Sequence, residues 1–242
     1  SHWERVILHN EAMTASAFRN GVFTNFTFSI FADSGWYKMN YQFAQPLFWG
    51  KGAGCDFYNN TCDSTAPVAK KYFCNDSSIG CTYDKAGWGP CSGDSFADSC
   101  KYYSAYSNRV CLDTSSGPAG FSITRDYYGG DSKCFVSSMI KKGYTTSIPV
   151  RCHKYKCNTS GGVDVFFSDT ESVSCGVDDE GKKKSHGNYS GEFECPDISL
   201  YCGNSYKYCT ENNKCLGNGV CDIDNTCFCS QGWKGPACDQ KA

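Results

Sequence analysis

SHWERVILHNEAMT, residues 1–14, sets a histidine at position 2 and a methionine eleven residues later at position 13. Read alone, His2 is an ordinary histidine and Met13 an apolar filler. A protein zinc site takes three or four ligands, and this stretch offers one imidazole near a soft, adaptable thioether. What the pair means therefore depends on what surrounds it.

Outward from this stretch, residues 1–54 contain no cysteine. Phe18, Val22, Phe26, Ser29 and Ile30 recur at helical spacing, with Phe23 and Phe31 beside them, and predict a helix from Ala15 to Ala32. Asp33-Ser34-Gly35 supplies the stop, with glycine where the left-handed residue after a helix sits. So aromatic a helix asks for burial, and 54 residues give it little to be buried against. Residues 55–205 differ in kind. They hold thirteen cysteines among many Gly, Ser, Asp and Tyr. Strand-like runs occur at Phe121–Tyr128, Tyr144–Val150 and Val163–Phe167, the last alternating Val163, Val165 and Phe167 against Asp164 and Phe166. These residues predict short antiparallel strands and irregular loops held by disulfides, with few helices.

Residues 206–242 form a third stretch. Cys209, Cys215, Cys221, Cys227, Cys229 and Cys238 follow the spacing C-x5-C-x5-C-x5-C-x-C-x8-C, with Gly232-Trp233-Lys234-Gly235 in the last loop. This pattern resembles an EGF-like module of the tenascin type. The resemblance implies the pairs Cys209–Cys221, Cys215–Cys227 and Cys229–Cys238. About 30 residues cannot build a sufficient core, so crosslinks worth about 2–4 kcal/mol each must restrict the unfolded chain. Tyr206-Lys207-Tyr208 stand where the calcium-binding subtype carries acidic residues and Asn, which argues against calcium.

Composition narrows the classes. With a net charge of −2 over 242 residues, the chain has no basic field for nucleic acid. The mixed run Asp178-Asp179-Glu180-Gly181-Lys182-Lys183-Lys184 reads as a solvated loop. Nineteen cysteines mark a disulfide scaffold made in an oxidising compartment. A zinc-cluster reading needs paired C-x2-C spacings, and none occurs. Five N-x-S/T acceptors, at Asn25, Asn59, Asn75, Asn158 and Asn188, agree with an extracellular or cell-surface glycoprotein. Nineteen is odd, so at least one cysteine lacks a partner within the chain. A secreted protein also needs a leader, and none is present, so the chain is expected to begin inside a longer protein.

The neighbourhood of the opening stretch now resolves its question. His2-Trp3, Glu11-Ala12-Met13, the stop Asp33-Ser34-Gly35-Trp36-Tyr37, Asn40-Tyr41 and Trp49-Gly50-Lys51-Gly52-Ala53-Gly54-Cys55 together resemble leishmanolysin, a surface zinc metallopeptidase family of the metzincin group. The resemblance extends through about residue 205. It implies His2 as the third zinc ligand and Met13 as the Met-turn residue that packs beneath the imidazoles without binding metal. It also implies an α+β architecture: residues 1–54 the C-terminal helical end of a metzincin catalytic domain, residues 55–205 a cysteine-rich, mostly antiparallel β and irregular domain, then the EGF-like module. The family's bridges, carried over, give Cys62–Cys100, Cys74–Cys91, Cys81–Cys134, Cys111–Cys152, Cys157–Cys202 and Cys175–Cys195. Cys55 is left to bond with an upstream N-terminal part of the same protein.

The departure from the family is large. Its H-E-x-x-H motif supplies two zinc histidines one helical turn apart and, between them, the general-base glutamate. This chain contains no such motif. His9, His153 and His186 lie in no such frame, and His9 reads as a surface residue near the turn. The chain by itself is expected to be inactive. The intact protein is expected to be a zinc metalloendopeptidase acting on proteins or peptides, with one Zn2+ completed by two upstream histidines. An anchor following Ala242 would hold it at a membrane. The alternative from another class is a catalytically dead homologue that serves in cell-surface adhesion, with Tyr102-Tyr103 and Tyr127-Tyr128 as contact residues. An intact upstream H-E-x-x-H separates the two.

Overall fold

Helix α1 (Arg5–Leu8) begins where the Glu4 side chain accepts a hydrogen bond from the Val6 amide at 3.3 Å, satisfying a donor that the first turn leaves free. It opens a computed structural model that describes residues 2–15, 21–45, 47–51, 53–59, 62–63, 65–66, 69–76, 78–117, 120–202, 215, 218–221, 227–235 and 237–242. The chain divides into two units: Ser1–Gly52 with Asn204–Ala242, and Ala53–Gly203.

In the first unit Val6, Leu8 and Trp49 are buried, and the Trp49 indole donates to the Val6 carbonyl at 2.9 Å. Helix α2 spans Asn25–Asp33, shorter than the helix expected from Ala15. The reason is local. Val22 exchanges main-chain hydrogen bonds with the turn before it, Val22 N to Asn10 O and Ala12 N to Val22 O, both 2.8 Å, and that pairing requires extended backbone. Thr24 then caps the helix, accepting from the Phe26 amide. Residues 16–20, within the expected helix, lie outside the described residues. The stop falls where the sequence put it, with Ser34 as C-cap and Gly35 at φ 72°. The buried residue of α2 is Thr27, whereas Phe26 and Ile30 are exposed within this unit.

The second unit opens with α3 (Gly54–Asn59). Strands β1 (Ile79–Cys81), β2 (Trp88–Gly93) and β3 (Lys101–Tyr103) form an antiparallel sheet in that order. Gly89 has no freedom to carry a side chain, because a Cβ there would lie 2.0 Å from the Ser104 carbonyl oxygen. β4 (Ser132–Val136), β5 (Ile140–Lys141), β6 (Val150–Cys157), β7 (Val163–Phe166) and β8 (Ser172–Cys175) follow; of these, β4-β6-β7-β8 make a four-stranded antiparallel sheet. β9 (Lys183–Lys184), β10 (Tyr189–Ser190) and β11 (Phe193–Glu194) add two-stranded pairs β9–β11 and β5–β10, and α4 (Ser199–Cys202) closes the unit. β7 alternates as read: Val163, Val165 and Phe167 are fully buried, together with Phe135, Met139 and Phe193.

Two expected strands are absent. Phe121–Tyr128 is irregular because Arg125 takes φ 58° and Asp126 turns inward to the Arg151 guanidinium and the Cys152 amide. Tyr144–Val150 enters a strand only at Val150. Gly143 at φ 89° turns the chain, and the Thr146 hydroxyl is committed to the Ile148 amide and Arg151. Tyr102 and Tyr128 are buried, so ordinary packing claims them rather than a partner.

Disulfides join Cys62 to Cys100, Cys74 to Cys91, Cys81 to Cys134, Cys111 to Cys152, Cys157 to Cys202 and Cys175 to Cys195. Cys81, Cys111, Cys134 and Cys152 sit in a core cluster with Trp88, Tyr128 and Val150, so sulfur replaces aliphatic carbon there. In the last segment β12 (Gly219–Cys221) pairs with β13 (Cys227–Cys229), and β14 (Trp233–Lys234) with β15 (Gln240–Lys241), all antiparallel. Cys215–Cys227 and Cys229–Cys238 staple it. The expected Cys209–Cys221 pair lies outside the described residues, since Cys209 is not among them.

Candidate metal centre at the Met13 turn

Residues 9–14 reverse the chain in a tight turn. Glu11 N donates to Leu8 O at 2.9 Å, Thr14 N to Glu11 O at 3.2 Å, and the Thr14 hydroxyl reaches the carbonyls of His9 and Glu11. Trp3 N then donates to Met13 O at 2.9 Å, and Trp3 bridges Thr14 in parallel register. This main-chain tie fixes the residue following His2 directly against the turn. His2 is exposed, and Met13 is 40% exposed, the most open of the turn's apolar side chains.

The turn itself rests on a carboxylate. Glu11 is 1% exposed. One oxygen, Oε2, accepts from the Met13 amide at 2.7 Å; the other, Oε1, accepts from Thr24 N at 3.2 Å and from the Thr27 hydroxyl at 2.6 Å. Thr27 in turn accepts from the Trp3 indole at 3.0 Å. In the sequence Glu11 stands out only as part of Glu11-Ala12-Met13. One acid in a short polar stretch gives no sign of burial; the usable signal was the hydroxyl pair Thr24 and Thr27 at the helix start.

His9, expected at the surface, is 6% exposed and stacks on Trp49 with ring centroids 4.1 Å apart. Its backbone at φ 39° swings the ring under the turn and into the unit's core. That leaves His2 as the imidazole facing solvent here. Among the described residues no group of three or more His, Cys, Asp or Glu converges as a metal site. The donor set nevertheless fits one arm of a tridentate site: an exposed imidazole on the residue preceding Trp3, whose main chain is tied to the turn that carries the exposed Met13.

A second grouping has the right atoms for catalysis and the wrong surroundings. His153 Nδ1 faces the Arg125 carbonyl at 3.0 Å and so carries the proton; Nε2 accepts from the Ser137 hydroxyl at 2.8 Å. Both residues are sealed in the core, and burial holds the imidazole's pKa down at about 3. No substrate reaches this pair. It is a packing device.

The remaining candidates lie apart. Cys55 is an exposed free thiol on α3. Asn59, Asn75 and Asn188 are exposed, and Asn25 is half-buried at the start of α2. The Asn158 amide is built into its loop, accepting from Ser160 N and Gly162 N and donating to Asp164 Oδ1 at 3.1 Å.

The leishmanolysin family model matches residues 1–93, a span that contains His2, the turn, Glu11 and α2. Residues 1–93 belong to the leishmanolysin family. A ciliated left-right organizer metallopeptidase of Danio rerio is 27% identical over 208 residues, covering 83% of this chain and 32% of that protein. The protein of that name in Homo sapiens is 30% identical over 196 residues, 72% of this chain and 24% of its own length. A leishmanolysin-like peptidase of Drosophila melanogaster is 50% identical over 62 residues, 26% of this chain and 9% of its own. The chain thus spans about a third or less of the relatives it matches. A teneurin-like EGF domain model matches residues 212–241, the stapled segment at the end. Disulfides and an EGF-like domain together mark an extracellular protein.

Proposed function

We propose that this chain supplies the third zinc ligand and the Met-turn of a leishmanolysin-like zinc metalloendopeptidase. The observation that carries this reading is the Trp3 N to Met13 O hydrogen bond, which ties the His2 segment to the one turn bearing an exposed methionine. His2 presents its imidazole to the metal. Met13 packs against the ligand rings from below, and the main-chain tie keeps the distance between the two constant. Upstream polypeptide of the same protein supplies the other two histidines and the general-base glutamate in an H-E-x-x-H segment, bonded back through Cys55. When bound, zinc supplies Lewis-acid polarisation of a peptide carbonyl and a lowered pKa for attacking water. The substrates are proteins or peptides, met outside the cell or at its surface.

Residues 1–54 complete the catalytic domain in this reading, 55–205 form the cysteine-rich domain, and 206–242 the EGF-like module, with Cys209 bonded to Cys221. Asn25, Asn59, Asn75, Asn158 and Asn188 carry glycans. The test is metal content and peptide hydrolysis of the intact protein. His2→Ala is expected to remove the bound zinc and the activity together. Unchanged zinc content in that variant would falsify the ligand role, and zinc without hydrolysis in the unaltered protein would favour an adhesion homologue.

A further inference from the structure

We infer that Glu11 is the positioning residue of the His2–Met13 site, holding both the ligand-bearing segment and the turn to the start of α2. The inference rests on the reading above that His2 binds zinc. Its carboxylate collects donors from separate parts of the chain. The Met13 amide lies on Oε2 at 2.7 Å; Thr24 N, the Thr24 hydroxyl and the Thr27 hydroxyl lie on Oε1 at 3.2, 3.4 and 2.6 Å. The Thr27 hydroxyl has a single proton, which goes to Glu11, so it receives the Trp3 indole N–H at 3.0 Å as an acceptor. Trp3 is the residue after His2 and also bonds Met13 O. A continuous path therefore runs from the ligand's neighbour through Thr27 and Glu11 to the Met13 amide, closed at its far end by Trp3 itself.

Geometry makes the carboxylate irreplaceable by its amide. Each oxygen faces a main-chain N–H, Met13 on one side and Thr24 on the other, and neither can rotate away. A glutamine puts an NH2 against one of them whichever way it flips. Glu11 is also sealed from water, so the lost acceptor cannot be replaced by solvent. The Met13 amide or the helix start must then move, and His2 moves with them.

The experiment uses the complete protein and compares Glu11→Gln, Thr27→Val, His2→Ala and Phe167→Ala. Zinc affinity is measured by chelator competition well below the unfolding temperature, and ligand geometry by the visible spectrum of the cobalt-substituted form. Glu11→Gln is expected to weaken zinc binding about 10-fold or more, the usual effect of releasing a group that orients a ligand, and to shift the cobalt bands. Thr27→Val, which removes the acceptor of the Trp3 indole and one of the donors to Glu11 but leaves the Met13 and Thr24 amides on the carboxylate, is expected to give a smaller loss of the same sign. Phe167→Ala lowers the thermal midpoint but leaves metal affinity and spectrum unchanged, which separates positioning from mere loss of stability. Native affinity and spectrum in Glu11→Gln and Thr27→Val, alongside loss of zinc in His2→Ala, overturn the inference and leave the ligand role standing. Retention of zinc in His2→Ala sinks both. Should Glu11→Gln fail to fold, Thr27→Val decides.

Discussion

His153 shows how one buried side chain carries a pH dependence for the whole second unit. Its folded pKa of about 3 lies below the ordinary 6.5, so between these values the unfolded chain binds a proton that the folded chain refuses. Stability contributed by the neutral ring is complete above about pH 6.5 and is lost as pH falls towards 3, by up to about 1.4 kcal/mol per pH unit. His153→Gln, neutral throughout, is expected to flatten the slope of unfolding free energy between pH 6.5 and 4, as read by urea titration at several pH values. At this scale the sequence was legible where residue type implies role. Gly35 and Val165 fell where pattern put them. It was silent where role depends on neighbours brought from afar, as with His9 against Trp49 or Glu11 against Thr27.

Among elements, the irregular segments are as firmly held as the strands. Asp126 and Arg151 form a buried pair at 3.3 Å, and Arg151 also donates to Met139 O and Thr146. Desolvation raises the Asp126 pKa, with the nearby guanidinium and the Cys152 amide opposing. Asp126→Ala strands the cation and is expected to cost about 3–5 kcal/mol in chemical denaturation, whereas replacing both partners with apolar residues costs much less than the sum. Phe167 and Phe26 offer a contrast in the same assay. Phe167→Ala empties the sheet core and is expected to cost about 3–5 kcal/mol, while Phe26→Ala on the outward face of α2 costs under about 1 kcal/mol. Periodicity found α2 but overran its start, because the Val22 pairing that keeps the chain extended involves residues ten and more positions away. The two expected strands fail to form for a similar reason: β propensity at Phe121–Tyr128 yields to the demand of a buried arginine.

For the whole molecule, the informative number is the cysteine count. Eight bridges and one exposed free thiol, Cys55, occur among the described residues. With Cys209 bonded to Cys221 as proposed, the unreduced, denatured chain is expected to take up one iodoacetamide, and peptide mass should place it on Cys55. In the intact protein that thiol is expected to be blocked until reduction releases it. Counting predicted a stapled scaffold and an odd sulfur. It could not assign partners, since pairing is a property of the folded path, and only resemblance to known chains supplied it. The bridges are also interlaced: Cys81–Cys134 crosses both Cys62–Cys100 and Cys111–Cys152 in chain order. Nearest-neighbour oxidation during synthesis would join Cys74 to Cys81 or Cys91 to Cys100 first, and such early errors must be undone by thiol exchange before the core can close. Production of this protein in a cell should therefore track the supply of disulfide-shuffling catalysts more closely than the rate of translation.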